Sequence, residues 1–231
     1  MRAIDLVVFD MAGTTVEDGG QVGEAFRKAL AEQGIGFDEE ALRAWRGASK
    51  REVLRHFVEG QFGRDDADNA RRVDLAYVAF RQHLERSYAE GGVRAVVGAE
   101  MAFAWLRERD VQVALTTGFY RQVTDTLLRA LGWELGVTLD ASVCSDEVAR
   151  GRPAPYMIFQ AMEATGVVDV RRVIKVGDTA LDLQAGANAG VRGVVGALSG
   201  SQTVKQLGRV AHTHLISSVA DLPALVEGEF L

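Results

Sequence analysis

The sequence predicts an α/β protein, a doubly wound parallel sheet with an all-helical insertion after its first strand. Three observations carry that expectation. An apolar, β-branched run from Ile4 to Phe9 stops abruptly at Asp10, as a buried parallel strand does. From Gly20 to about Gly91 apolar residues recur at intervals of three and four, with almost no strand signal. Beyond Gly91-Gly92 helical and strand patterns alternate, which implies an open sheet with helices on both faces.

The elements follow in order. After the first strand, Ala12-Gly13-Thr14-Thr15 reads as a turn. The insertion contains four helical stripes: Val22, Ala25, Phe26, Ala29 and Leu30; Leu42 and Trp45; Val53, Leu54, Phe57 and Val58; and Val73, Tyr77, Phe80 and Leu84. They are broken near Gly34-Ile35-Gly36, Gly47 and Gly63. Helix is then expected over 99–109, 121–131, 155–165 and 180–189, and strand over 111–115, 141–144, 173–176, 191–195 and 213–216. The core is therefore 1–19 plus 96–231 and the helical cap 20–95, with hinges near residue 20 and at 91–95.

Composition narrows the function classes. The chain has 231 residues, enough for one large domain or a core carrying an insertion, and 48% hydrophobic with 25% charged residues excludes wholesale disorder. Asp5 falls where a signal peptide needs its apolar centre, and no uncharged apolar stretch approaches the ~18 residues of a membrane span. One cysteine, Cys144, permits neither an internal disulfide nor a cysteine metal cage, and it reads as a small buried apolar residue. A net charge of −6 argues against general affinity for nucleic acid. The expectation is a soluble cytoplasmic protein with room for a sizeable core, without nucleic acid or membrane partners.

In open parallel sheets ligands gather at the carboxyl ends of the strands. Four polar signals occupy those ends. Asp10 is followed by Gly13-Thr14-Thr15, Thr116-Thr117-Gly118 closes the next strand, Gly151-Arg152-Pro153 lies beyond Cys144, and Gly177-Asp178-Thr179 precedes Asp182 on a helix start. An Asp after a strand is ordinarily a helix cap, but carboxylates, a hydroxyl pair and a cation converging on one edge suit phosphoryl chemistry.

This order of motifs resembles the haloacid dehalogenase superfamily over the whole core, and the inserted helices resemble its small helical cap. The resemblance implies that Asp10 is the nucleophile that takes up a phosphoryl group. It places Mg²⁺ on Asp10, the Ala12 carbonyl and Asp178, with Asp182 behind them. Thr116, Thr117 and Arg152 would hold phosphoryl oxygens, and Thr14 and Gly118 would line the substrate.

Ester-cleaving members carry a second Asp two residues after the nucleophile, as general acid and base. Here that position is Ala12. Phe9-Asp10-Met11-Ala12-Gly13-Thr14-Thr15-Val16 is similar to the opening motif of the phosphonatase-like branch, the phosphonoacetaldehyde hydrolases, which cleave carbon–phosphorus bonds. In that branch a cap lysine forms a Schiff base with the aldehyde, so that carbon leaves as an enamine. Gly47-Ala48-Ser49-Lys50 matches the branch's Gly-x-x-Lys motif and makes Lys50 the candidate. Ser49 to Glu52 reads as a capping box with Lys50 at the first helical position, where the helix dipole favours loss of its proton.

Some details of the branch are replaced. Val53 stands where a histidine is expected, Arg46 where a methionine is, Phe119 where a tyrosine is, and Gly20 where a cysteine is common. Arg46 suggests a substrate with an extra anionic group. The expected activity is Mg²⁺-dependent C–P hydrolysis of phosphonoacetaldehyde or a related small phosphonate. The alternatives are a phosphate monoesterase of the phosphoglycolate-phosphatase kind and a binding protein without turnover. A homodimer is expected by likeness. His83, His212 and His214 lack zinc-like spacing, and Glu39-Glu40 and Asp65-Asp66 read as solvated charges.

Overall fold

The structure is a computed structural model and describes residues 4–230. Met1-Arg2-Ala3, part of the reading of the N-terminus, lies outside the described residues. In chain order the elements are β1 (Leu6–Asp10), α1 (Gln21–Glu32), α2 (Glu39–Ala44), α3 (Lys50–Phe62), α4 (Asn69–Gly91), α5 (Ala99–Arg107), β2 (Gln112–Thr117), α6 (Arg121–Leu131), β3 (Ala141–Cys144), α7 (Tyr156–Thr165), β4 (Val173–Gly177), α8 (Ala180–Ala189), β5 (Gly193–Ala197), α9 (Val204–Leu207), β6 (His214–Ile216) and α10 (Leu222–Glu229). The chain divides into two compact units, 1–17 with 93–231 and 18–92.

In the first unit the six strands form one sheet in the order β3-β2-β1-β4-β5-β6, parallel throughout. β1 is central, and its five residues are all buried. Its alternation divides the core. Leu6 and Val8 join Met157 and Ile158 of α7 and Leu183 of α8 in one cluster. Phe9 points the other way and meets Phe103 of α5 edge-on, ring centroids 5.2 Å apart. Helices thus cover both faces. The strand order reverses between β1 and β4, the switch point at which open α/β sheets bind ligands.

Several strands run further toward their carboxyl ends than their apolar content suggests. β2 includes both Thr116 and Thr117, and β4 includes Gly177, so the ladder carries these polar residues into the site. Asp10 pairs with Thr116, and Gly177 with Gly196. The chain leaves and re-enters this unit side by side: Val16 bridges Ala95, and Glu17 N–H donates to the Arg94 carbonyl at 2.9 Å. The terminal helix α10 has no counterpart in the pattern reading. It is short and opens with Leu222-Pro223, where proline suits a first helical turn.

The second unit holds α1 to α4, which bury Ala25, Phe26, Leu30, Leu54, Val58, Phe80 and Leu84. Phe26 and Phe80 stack at 4.3 Å. Two details differ from expectation. Ser49 occupies the N-cap of α3, but its hydroxyl makes no capping bond, so the capping box is not formed. Glu39 is not simply solvated: Arg27 pairs with it at 2.6 Å, joining α1 to α2. Among the described residues no helix is long and apolar enough to cross a membrane.

Candidate active site

The carboxyl ends of β1, β2 and β4 put Asp10, Thr116 and Asp178 together because parallel neighbours in register end at the same edge. Asp182, four residues after Asp178, joins them from the first turn of α8. Thr179 fixes it there, donating from its hydroxyl to Asp182 Oδ2 at 2.5 Å and accepting from Asp182 N–H. The approach is close: a Cβ on Gly177 would lie 2.3 Å from Asp182 Cβ, so only glycine suits that position. Asp10, Asp178 and Asp182 each offer an oxygen, and these atoms lie within 4.8 Å of one another.

Two cations face the three acids. Arg152, 3% exposed, donates from Nη2 to Asp10 Oδ1 at 2.7 Å and from Nη1 to Asp182 Oδ1. Its Nε is buried without a hydrogen-bond partner among the described residues. Lys175, fully buried in β4, approaches Asp182 Oδ1 at 2.9 Å and donates to Thr116 Oγ1 at 3.2 Å. The four polar motifs do not single out Lys175, which sits inside an apolar strand.

The acids are held differently. Burial raises the Asp178 carboxyl to about 7, and the charges of Asp10 and Asp182 push the same way. Asp10 is also raised, by burial and by Asp182, although Arg152 opposes this. Asp182 is equally buried, but Arg152 and Lys175 keep it below the ordinary carboxylate range. Burial lowers Lys175, with Asp182 opposing. Asp182 therefore has two counterions, Asp10 shares Arg152 with it, and Asp178 has no ion-pair partner among the described residues.

Asp178 is oriented by a second loop. Ser201 donates to its Oδ2 from the backbone at 2.7 Å and from the hydroxyl at 2.8 Å, and Thr14 donates to Oδ1 at 3.3 Å. Ser201 has no counterpart among the sequence candidates. It lies in the turn Ser199-Gly200-Ser201, and only the folded chain brings that turn to β4. Three carboxylates facing two cations, with oxygen donors alone, suit a hard divalent cation such as Mg²⁺.

The remaining candidates fall as follows. Thr14 is fully buried and turned toward Asp178. Thr116 Oγ1 lies 3.3 Å from the Phe9 carbonyl, and Thr117 Oγ1 accepts from Phe119 N–H at 3.1 Å. The Gly118 carbonyl accepts from Ser145, and Ala12 is half-buried in the turn after β1. Lys50 opens α3 and is buried, its Nζ 3.5 Å from the Ala48 carbonyl. Arg46 is half-buried, and its neighbour Trp45 stacks on His56 at 4.7 Å. Cys144 is buried, its thiol pushed up to about 12 by burial, which makes it unreactive. His83 pairs with Glu32 at 2.7 Å.

Comparison with known proteins agrees with this architecture. Phosphonoacetaldehyde hydrolase from Hahella chejuensis is 30% identical, covering 97% of this chain and 86% of its own length. The enzyme of that name from Parabacteroides distasonis is 32% identical over 87% of this chain and 78% of its own. In fold, a phosphonoacetaldehyde hydrolase-like protein from Oleispira antarctica superposes with a TM-score of 0.83 at 23% identity, covering 97% of this chain and 92% of its own. A hydrolase from Pseudomonas syringae gives 0.84 at 20% identity, covering 98% and 100%. A family profile matches residues 4–190, and with it the chain belongs to the haloacid dehalogenase-like hydrolases.

Proposed function

We propose that this hydrolase cleaves the carbon–phosphorus bond of phosphonoacetaldehyde or a related small phosphonate. Asp10 is the phosphoryl acceptor and Lys50 the Schiff-base amine. The observation that carries the reading is Ala12. Acid–base hydrolysis of an ester needs a proton donor two residues after the nucleophile, and a methyl group stands there. The names of the relatives at 30% and 32% identity support the same substrate class.

The residues divide the work as follows. The Lys50 amine condenses with the aldehyde and water leaves, so the adjacent carbon–phosphorus bond can send its electron pair into an enamine. An Asp10 carboxylate oxygen attacks phosphorus as that bond breaks, giving an aspartyl phosphate. Water then releases phosphate from Asp10, and protonation and hydrolysis of the enamine free Lys50. Arg152 lies against the nucleophile and has an unpartnered Nε to offer a phosphoryl oxygen. The hydroxyls of Thr116 and Thr117 would serve the same oxygens. Mg²⁺ held by Asp10, Asp178 and the Ala12 carbonyl would neutralise charge between carboxylate and phosphonate.

Borohydride reduction in the presence of phosphonoacetaldehyde tests the reading. A stable adduct on Lys50 is expected, and an unmodified Lys50 refutes it. A second reading, a phosphate monoesterase on a small metabolite, is favoured by Val53 and Arg46, which replace a histidine and a methionine of the phosphonatase pattern. Turnover of phosphate esters without any Lys50 adduct would select it.

A further inference from the structure

We infer that Lys175 is a positioning residue of this site. Its ammonium fixes Asp182 and makes the Thr116 hydroxyl a donor to the substrate's anionic oxygens. Its charge makes the metal-loaded site attract an anion. The inference rests on the reading that the site takes Mg²⁺ and a phosphoryl group.

A lysine inside an all-buried strand needs a reason, because burying an ammonium is costly unless every proton is paired. Lys175 meets that condition. Its three partners are Asp182 Oδ1 at 2.9 Å, Val176 carbonyl at 3.1 Å and Thr116 Oγ1 at 3.2 Å, one for each N–H. Space is provided too: a Cβ on Gly186 of α8 would sit 3.0 Å from Lys175 Cβ, so the helix leaves room for the stem.

Two consequences follow. Lys175 donates into a lone pair of Thr116 Oγ1, so the hydroxyl proton must point elsewhere. Its other partner is the Phe9 carbonyl, at a long 3.3 Å, and an anionic oxygen would be a stronger acceptor. The second consequence is electrical. Three carboxylates against Arg152 and Lys175 leave one net negative charge, which attracts a divalent cation. Once the cation is bound the sign reverses and the site attracts a phosphoryl dianion. Without Lys175 the loaded site would be neutral.

The test uses the full chain at pH 8, with Mg²⁺ alone and then inorganic phosphate at saturating Mg²⁺, both by calorimetry. Lys175→Met should bind Mg²⁺ about fivefold more tightly and phosphate about tenfold more weakly, because one positive charge is lost. Lys175→Gln should show the same opposition, with a smaller loss for phosphate because its amide can still donate to Thr116. Thr116→Val, nearly isosteric, should weaken phosphate about tenfold and leave Mg²⁺ unchanged. A lysine that merely supports the fold would lower both affinities together, and that result overturns the inference, as does no change in either. If Lys175→Met fails to fold, the Gln and Thr116→Val proteins decide. Unaltered phosphate affinity in Thr116→Val also overturns it. Wild-type protein that binds neither Mg²⁺ nor phosphate overturns the functional reading as well. Wild-type binding with unaltered Lys175 variants overturns only the role of Lys175.

Discussion

Lowering the pH from 8 to 6 should weaken Mg²⁺ binding by about tenfold, and the reason lies in Asp178. Its carboxyl titrates at about 7, raised by burial and by Asp10 and Asp182. At pH 8 about nine-tenths of the molecules carry the carboxylate and at pH 6 about one-tenth, and only the carboxylate binds the cation. Asp10, also raised, adds in the same direction. A carboxyl raised in the folded protein stabilises it below the ordinary range, and that contribution is lost as the pH rises through about 7. Bound Mg²⁺ compensates the charge, so its stabilising effect on melting temperature should be larger at pH 8 than at pH 6. Titration calorimetry in buffers of different ionisation enthalpy should count about half a proton or more released per Mg²⁺ at pH 7. Asp178→Asn should weaken binding and flatten the profile. An affinity constant across this range, with no proton released, would refute the assignment of Asp178 as a cation ligand.

Three substitutions test other parts of the site. Ala12→Asp should raise hydrolysis of a generic aryl phosphate by roughly tenfold or more by restoring a general acid, and should not improve phosphonoacetaldehyde cleavage. Lys50→Ala should do the reverse, abolishing C–P cleavage and sparing ester hydrolysis, as phosphate-release assays on both substrates would show. Gly200→Ala puts a methyl 2.2 Å from Asp178 Oδ2, so it should displace that carboxylate. Mg²⁺ affinity should fall about tenfold and stability by about 1–3 kcal/mol, read by calorimetry and denaturant unfolding.

The sheet and its flanking helices were legible because each element carries its own period. The runs ending at Asp10, Thr117 and Gly177 are mostly apolar before their polar or glycine ends, and α1, α3 and α4 show clear stripes. Asp10, Thr116, Arg152 and Asp178 could be marked because a charge or hydroxyl at a strand end departs from that apolar pattern. Lys175 could not, since a single lysine within Val-Ile-Lys-Val looks the same whether it reaches water or a carboxylate. What decides is Asp182, a residue on another element. Ser201 was hidden for a similar reason, in a turn whose composition reads as ordinary loop. Ser49 shows the opposite failure. Its local motif matches a capping box, yet the hydroxyl does not cap the helix.

The place of β1 in the sheet has a consequence for how the chain comes to be folded. It precedes both its partners along the chain, and these begin at residues 112 and 173. On a growing chain this apolar strand is therefore unpaired until β2 emerges, and it keeps one open edge until β4 does. Helices α1 to α4 find their packing partners within 18–92 and can form meanwhile. Substitutions that slow β4 pairing should lower the yield of folded protein from cells more than they lower equilibrium stability. The exposed Leu6–Asp10 segment is the part of the nascent chain a chaperone would have to shield.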